Sequence, residues 1–300
     1  MALTFYDDNA GGGDKKWTTS SSWSDDNVPL DTFEAILTDV RTSNAMLGET
    51  VTSATWPDKI LITAYSGNIG DSGTHLVFDD AAGSETLDEL RIERATGKIY
   101  LDFIQSAGSN TVIDTHVNVT GTASDQVNLG GAAAYTNIHL LRGRTNLGMT
   151  GTVSDLFVAH STTSRDVFCN IASGATITNI RQGGGRIVSA STNNMTGIWV
   201  QSGGGTQLTG SATIDDYFIH AGNLRIDGSG SLLTITNLYI YGGIVDLTQT
   251  GNLRALTNVF VWPGGTLDLR HVETMITNTK IVTFGSARVL GNKQPTLSYT

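Results

Sequence analysis

Four pairs of neighbouring acids, Asp25–Asp26, Asp79–Asp80, Asp88–Glu89 and Asp215–Asp216, are the obvious candidates for proton chemistry in this chain. Two carboxylates in one cleft can act as general acid and base, or flank a glycosidic bond. Neighbours on one strand point to opposite faces, however, so adjacency alone does not bring both onto one substrate. The four pairs read as solvated turns and loops. The acidic segment DDAAGSETLDEL offers Asp79, Asp80 and Glu85 as oxygen ligands for Ca²⁺, but not at the spacing of an EF-hand loop. The six histidines are scattered, and only His116 and His139 fall where they would touch, without the carboxylate or Cys company a metal site needs. The glycine runs SGGGT and RQGGGR lack the lysine and following helix of a phosphate cradle, and read as corners between strands. Cys169, the one cysteine, lies in the strand-like run DVFCNI and reads as a buried structural thiol. The expectation is a protein with no catalytic residue, no cofactor and no metal.

The elements that would position these side chains are short strands. The 300 residues hold 35 glycines against 4 prolines, only 15% charged residues, and Ser, Thr and Asn crowded between short Ile/Val/Leu runs. That composition suits many strands joined by tight turns. A net charge of −10, without a Lys/Arg cluster, excludes a general nucleic-acid binder. No run approaches a membrane span and no charged-then-apolar leader opens the chain, so the protein is expected to be soluble and not exported by a classical signal.

Aligning on ITNLYI from Ile235 exposes a repeat: LDELRI from Leu87, VIDTHV from Val112, YTNIHL from Tyr135, VSDLFV from Val153, ITNIRQ from Ile177, MTGIWV from Met195, IDDYFI from Ile214, LTNVFV from Leu256 and ITNTKI from Ile276. PDKILI from Pro57 is a looser copy. The later starts are 18, 19, 21, 21 and 20 residues apart. One aliphatic strand per period of about 20, with Gly-rich returns and no helical pattern, specifies stacked coils that bury a common core. The expected fold class is all-β: a single-stranded right-handed parallel β-helix of ten or eleven coils over residues 56–290, behind an atypical cap at 1–55 and before a tail at 291–300.

The third motif position is Asn or Asp in Asp114, Asn137, Asp155, Asn179, Asp216, Asn237, Asn258 and Asn278. Such residues suit turns, and stacked at strand spacing their amides can form a ladder. The fourth and sixth positions should point into the coil, so the fifth and seventh point out. The fifth column runs Arg91, His116, His139, Phe157, Arg181, Trp199, Phe218, Tyr239, Phe260 and Lys280; the seventh runs Gln201, His220, Tyr241 and Trp262. Trp199, Phe218, Tyr239, Tyr241, Phe260 and Trp262, flanked by His220, should therefore form one outward aromatic patch larger than ordinary monomers expose. It fits a homo-oligomer interface, a platform on which sugar rings stack, or a surface covered by the chain's own loops or tail.

The opening stretch KKWTTSSSWSDDNVPLDTFEAIL, with Trp17 and Trp23, and ILITAYSGNIGDSGTHLVF from Ile60 resemble the start of tailed-bacteriophage virion β-helix proteins, found as head fibres, capsid decorations and tail-fibre components. The resemblance covers the first 100 residues or so by pattern and the rest by architecture. It implies a non-enzymatic structural protein of the virion, assembled in the host cytoplasm as a homo-oligomer, a trimer by analogy. Residues 1–55, with Trp17 and Trp23, would dock it on capsid or tail proteins, and host-surface attachment through a glycan is a further implied contact. No family catalytic motif is present to carry over, and the chain is short for a polysaccharide-cleaving tailspike. A carbohydrate-binding or polysaccharide-degrading β-helix, and a bacterial surface adhesin, are the alternatives.

Overall fold

A computed structural model of the chain describes residues 2–6, 16–29, 32–38, 45–52, 56–79, 84–106, 109–120, 126–159, 167–227, 232–248, 254–270 and 280–291. The chain divides into two compact units, Met1–Ser154 and Asp155–Thr300. Each is an all-β stack of parallel strands, and the coils of these β-solenoids take about 22 residues. The division falls inside the stretch expected as one β-helix. Of the expected tail only Gly291 is among the described residues.

In the first unit the strands are β1 (Ala2–Phe5), β2 (Phe33–Thr38), β3 (Thr50–Val51), β4 (Lys59–Thr63), β5 (Leu76–Asp79), β6 (Thr86–Glu93), β7 (Ile99–Ile104), β8 (Thr111–Asn118), β9 (Val127–Gly130) and β10 (Ala134–Leu147). One parallel ladder runs β1–β2–β4–β6–β8–β10, and a second runs β3–β5–β7–β9–β10. The first ladder already begins inside the expected cap. β10 serves both ladders by bending at Gly143, whose φ of +95° a side chain would strain and whose Cβ would strike Val119. Register follows the motif: Lys59, Glu89, Asp114 and Asn137 are partners in turn, as are Leu61, Arg91, His116 and His139.

β11 (Thr152–Val158) spans the boundary. In the second unit follow β12 (Val167–Ile171), β13 (Thr176–Gln182), β14 (Arg186–Ser189), β15 (Met195–Gln201), β16 (Gly205–Leu208), β17 (Thr213–Ile219), β18 (Asn223–Ile226), β19 (Leu233–Ile240), β20 (Gly243–Asp246), β21 (Arg254–Val261), β22 (Gly265–Asp268), β23 (Lys280–Thr283) and β24 (Arg288–Leu290). Odd strands from β13 to β23 pair in one parallel ladder, and even strands from β12 to β24 in another. At the corner leading into the second strand of each coil from β13 onward sits a glycine with positive φ: Gly185, Gly204, Gly222, Gly243 (the first residue of β20), Gly264 and Gly285. A Cβ at Gly204 or Gly222 would come 2.2 Å from the carbonyl oxygen of the corner beside it, so these corners stack only without side chains. The glycine runs are thus corners, as their spacing implied. The third-position ladder also forms: Asn137, Asn237 and Asn258 donate from Nδ2 to Asp114, Asp216 and Asn237 at 2.8, 2.9 and 2.9 Å. Asp216 stands within β17 rather than in a turn, where alternation breaks once and both Asp215 and Asp216 turn outward. Asn278 lies outside the described residues.

The core of the first unit is itself aromatic. Phe78 stacks on Phe103 at 5.0 Å, and Trp17 and Trp56 meet Phe78 edge-on. Trp17 and Trp23 are 0% and 1% exposed, and Trp23 Nε1 donates to the Trp17 carbonyl at 2.7 Å. Expected to dock on another protein, these two indoles are instead spent inside the unit, on an open solenoid end that would leave apolar core in water. Glu49 fastens them: its buried carboxylate accepts from the Trp17 and Thr18 backbone N–H groups and, at 2.6 Å, from Thr18 Oγ1. Replacing it strands buried donors, so Glu49→Ala should lose about 2–4 kcal/mol and Glu49→Gln, which keeps one acceptor, about 1–2 kcal/mol. Chemical denaturation followed by tryptophan fluorescence checks this; equal midpoints in Glu49→Ala and the parent would show that the cap is not held this way.

Candidate functional site

Parallel coils in register place like positions above one another at a spacing of about 4.8 Å, close to the thickness of stacked rings. In the second unit the fifth motif position carries Phe218, Tyr239 and Phe260 on β17, β19 and β21, partners in the register. Their ring centroids are 4.5 and 5.2 Å apart and their planes 5° and 9° from parallel. The seventh position forms a second column beside it: His220 on Tyr241 at 4.9 Å, Tyr241 on Trp262 at 4.3 Å, and Trp262 on Phe284 at 4.7 Å. Tyr239 and Phe260 also reach Trp262 at 6.3 and 6.1 Å, so the two columns are one surface. Tyr241 and Phe284 are 37% and 39% exposed, His220 is exposed, and the other rings are half-buried. Loss of water around the ring, and then coulombic coupling to Asp216 and Tyr241, push the Tyr239 hydroxyl above the usual phenol range.

Six of the expected patch residues, Phe218, His220, Tyr239, Tyr241, Phe260 and Trp262, are brought together. Trp199 is not among them. It is 1% exposed and stacks inward on Tyr217 at 5.1 Å. The register explains this: a shift between Met195 and Ile198 pairs Trp199 with Ile180 and Tyr217, the fourth, inward position, and gives the outward position to Val200. Asn179 seats this bulge. Its Oδ1 accepts from the Ile198 N–H at 3.1 Å and fills the space where a Cβ on Gly197 would stand, 2.2 Å away. The same slip takes Gln201 off the outward seventh column and buries it, where its Oε1 accepts from the Tyr217 hydroxyl at 2.6 Å. Gln182 is likewise buried and accepts from Thr206 Oγ1 at 2.6 Å.

Phe157 stands apart from the columns, with the Arg181 guanidinium 5.3 Å over its ring and ion-paired to Asp155. Lys280 is the partner of Asn258, so it takes the third position, and Val282 lies beneath Phe260. That last coil is two residues longer than the motif TNTK suggested, which hid Phe284 from the seventh column.

The remaining candidates have local roles. His116 and His139 stack at 4.7 Å with planes 7° apart in the first unit. Burial pushes the Cys169 thiol far above its usual range, as befits a structural thiol. Asp25 accepts from Thr4 Oγ1 at 2.6 Å, Asp79 accepts from Ser106, and Glu89 pairs with Lys59 and Arg91. Asp80 lies outside the described residues. Among the described residues no group of three or more His, Cys, Asp or Glu is placed to hold a metal, and no helix is long and apolar enough to cross a membrane.

No family profile matches the chain, and no curated protein and no solved structure is significantly similar to it.

Two outcomes separate core from surface. Trp199→Ala should cost about 3–5 kcal/mol of stability, as for a buried indole, without changing what the outward face does; a stability unchanged in denaturant melts would put the ring outside. The second concerns His139, whose pKa is lowered by burial first, then by His116, against the opposing pull of Asp114. The unfolded ring binds a proton near pH 6.5 and the folded ring only below that. Stability is therefore unaffected by this group above about pH 6.5 and falls as the pH drops below it, until the folded ring also titrates. Between about pH 7 and 5, His139→Gln should lose less stability than the parent; parallel pH profiles would show that His139 contributes nothing.

Proposed function

We propose that the chain is a non-enzymatic structural component of a bacteriophage virion, a stiff β-solenoid that assembles with copies of itself through its aromatic face. The double aromatic column carries this reading. Exposed apolar surface of this continuity marks interaction sites in soluble proteins. Rings locked in stacks lose little further freedom on binding, which favours a partner that packs against them as a rigid surface. The resemblance of the opening 100 residues to virion β-helix proteins supports the location, and a docking role for that region would have to use side chains other than the buried Trp17 and Trp23.

The geometry supports a glycan platform less well. A sugar stacks its C–H face against the face of an aromatic ring. Within the columns, at 4.3–5.2 Å and 5–25°, each inner ring has both faces covered by its neighbours, and the edges are what solvent meets. Edges carry the positive rim of the ring quadrupole and suit carbonyls, carboxylates and the ring faces of a partner chain.

Light scattering on the purified chain should give a closed oligomer, a trimer on the resemblance. Tyr241→Ser combined with Trp262→Ser should convert it to monomer with an unchanged β-rich circular dichroism spectrum. A monomeric parent, or a double variant that stays associated, would refute assembly through this face. The virion location is tested separately by a mass-spectrometric inventory of purified particles.

A further inference from the structure

A surface cavity of about 380 Å³ opens in the first unit, with Ser72, Thr74, His75, Val77 and Asp102 in its lining. That is the size of a small-molecule site, for which about 300–1,000 Å³ is usual. Its polar groups are held in place from several directions. His75 Nδ1 lies 2.8 Å from Asp102 Oδ1, joining residues 27 positions apart on adjacent coils. Nδ1 is thus committed to the carboxylate, and Nε2 is the ring nitrogen left to meet a ligand. Asp102 is the register partner of Gly130, where a Cβ would come 2.1 Å from Oδ1, so glycine at 130 makes the room the carboxylate occupies. Tyr100 lies 5.3 Å from the His75 ring, centroid to centroid, and its own ring is buried. The turn that brings Ser72, Gly73 and Thr74 into the lining is set by Asp71, whose Oδ1 accepts from the Gly73 and Thr74 N–H groups, both at 2.8 Å. These bonds, with the Thr74 hydroxyl, hold the Asp71 carboxyl below the usual range.

We propose that this cavity binds one neutral hexopyranose, as a free sugar or as the terminal unit of a glycan. One carboxylate, Asp102, stands in its lining, which disfavours an anionic ligand. Vicinal hydroxyls both donate and accept. They match the Asp102 carboxylate, the Ser72 hydroxyl and His75 Nε2, which a hydroxyl meets as donor or as acceptor, and Val77 gives the lining an apolar element for the C–H side of the ring. The site shares no residue with the aromatic columns, so it stands or falls independently of the assembly proposed above.

The test is a titration of the full, isotopically labelled chain with the methyl glycosides of glucose, galactose and mannose, and with the free hexoses, read at the His75 ring by NMR. At least one sugar should shift the His75 resonance saturably, with a Kd of about 1–10 mM, as expected for a single sugar held by a few hydrogen bonds. Asp102→Asn keeps the shape that fits over Gly130 but loses the charge, and should weaken binding about tenfold or more. Ser72→Ala gives a second, structurally mild loss. Unmoved His116 and His139 resonances verify the fold in both variants. Binding of a methyl glycoside assigns the site to a glycan terminus, and binding of the free hexose alone assigns it to free sugar. No saturable shift with any of the six compounds, or the same Kd in Asp102→Asn as in the parent, overturns the proposal.

Discussion

Everything in each unit follows from the parallel ladder in register. Once a strand must sit on its counterpart one coil away at about 4.8 Å, each side chain meets its own equivalent rather than a complement. Only some residues tolerate self-stacking. Aliphatic side chains do so inside, and so do Asn and Asp, because a carboxamide offers both a donor and an acceptor along the stack. Asn258 to Asn237 to Asp216 is such a chain, and it ends on an acid that can only accept. Glycine at corners does so because nothing projects. Aromatic rings do so inside, as Phe78 on Phe103, and outside as well, since their thickness is less than the coil spacing. The column Phe218–Tyr239–Phe260 is therefore a solution to the same constraint that sets the core.

The constraint fails at the ends of a stack, where a coil has one neighbour instead of two. The first unit answers with side chains that need no equivalent. Trp17 and Trp23 cover the core edge-on, and a single carboxylate, Glu49, supplies the backbone acceptors that a further strand would have offered. Trp17 Nε1 remains buried without a partner, a cost accepted for the area its ring covers. The indoles are thus better understood as a substitute for a missing coil than as a handle for another protein.

The repeat, the all-β class, the Asn/Asp ladder and most of the aromatic columns were legible because each depends on one residue recurring at one period. What was not legible depends on departures from the period. Trp199 looks outward in any alignment that keeps six residues per strand. Only the bulge at Gly197, created by the reach of Asn179 from the preceding coil, turns it in. Phe284 was hidden because its coil is two residues longer than the motif, and Gln201 because it shares the bulge with Trp199. The pairing of His75 with Asp102 carries no periodic signal, since His75 precedes its strand while Asp102 lies within one. Its one trace in sequence is Gly130, a glycine where the coil needed none for its turn.

The two outward columns also limit what can bind them. A stack of parallel rings is stiff along its length, because rotating one ring about χ2 drives it into its neighbours. The surface cannot fold around a flexible ligand, and a partner with a matching repeat is what would fit it best. A partner with its own rungs about 4.8 Å apart meets every ring in the same way, while one without that spacing meets only a few. Among proteins, another parallel β-stack has that repeat by construction, and a second copy of this chain has it in the same sequence of sizes. In the assembly proposed above, the period itself would favour self-association, ahead of any single contact.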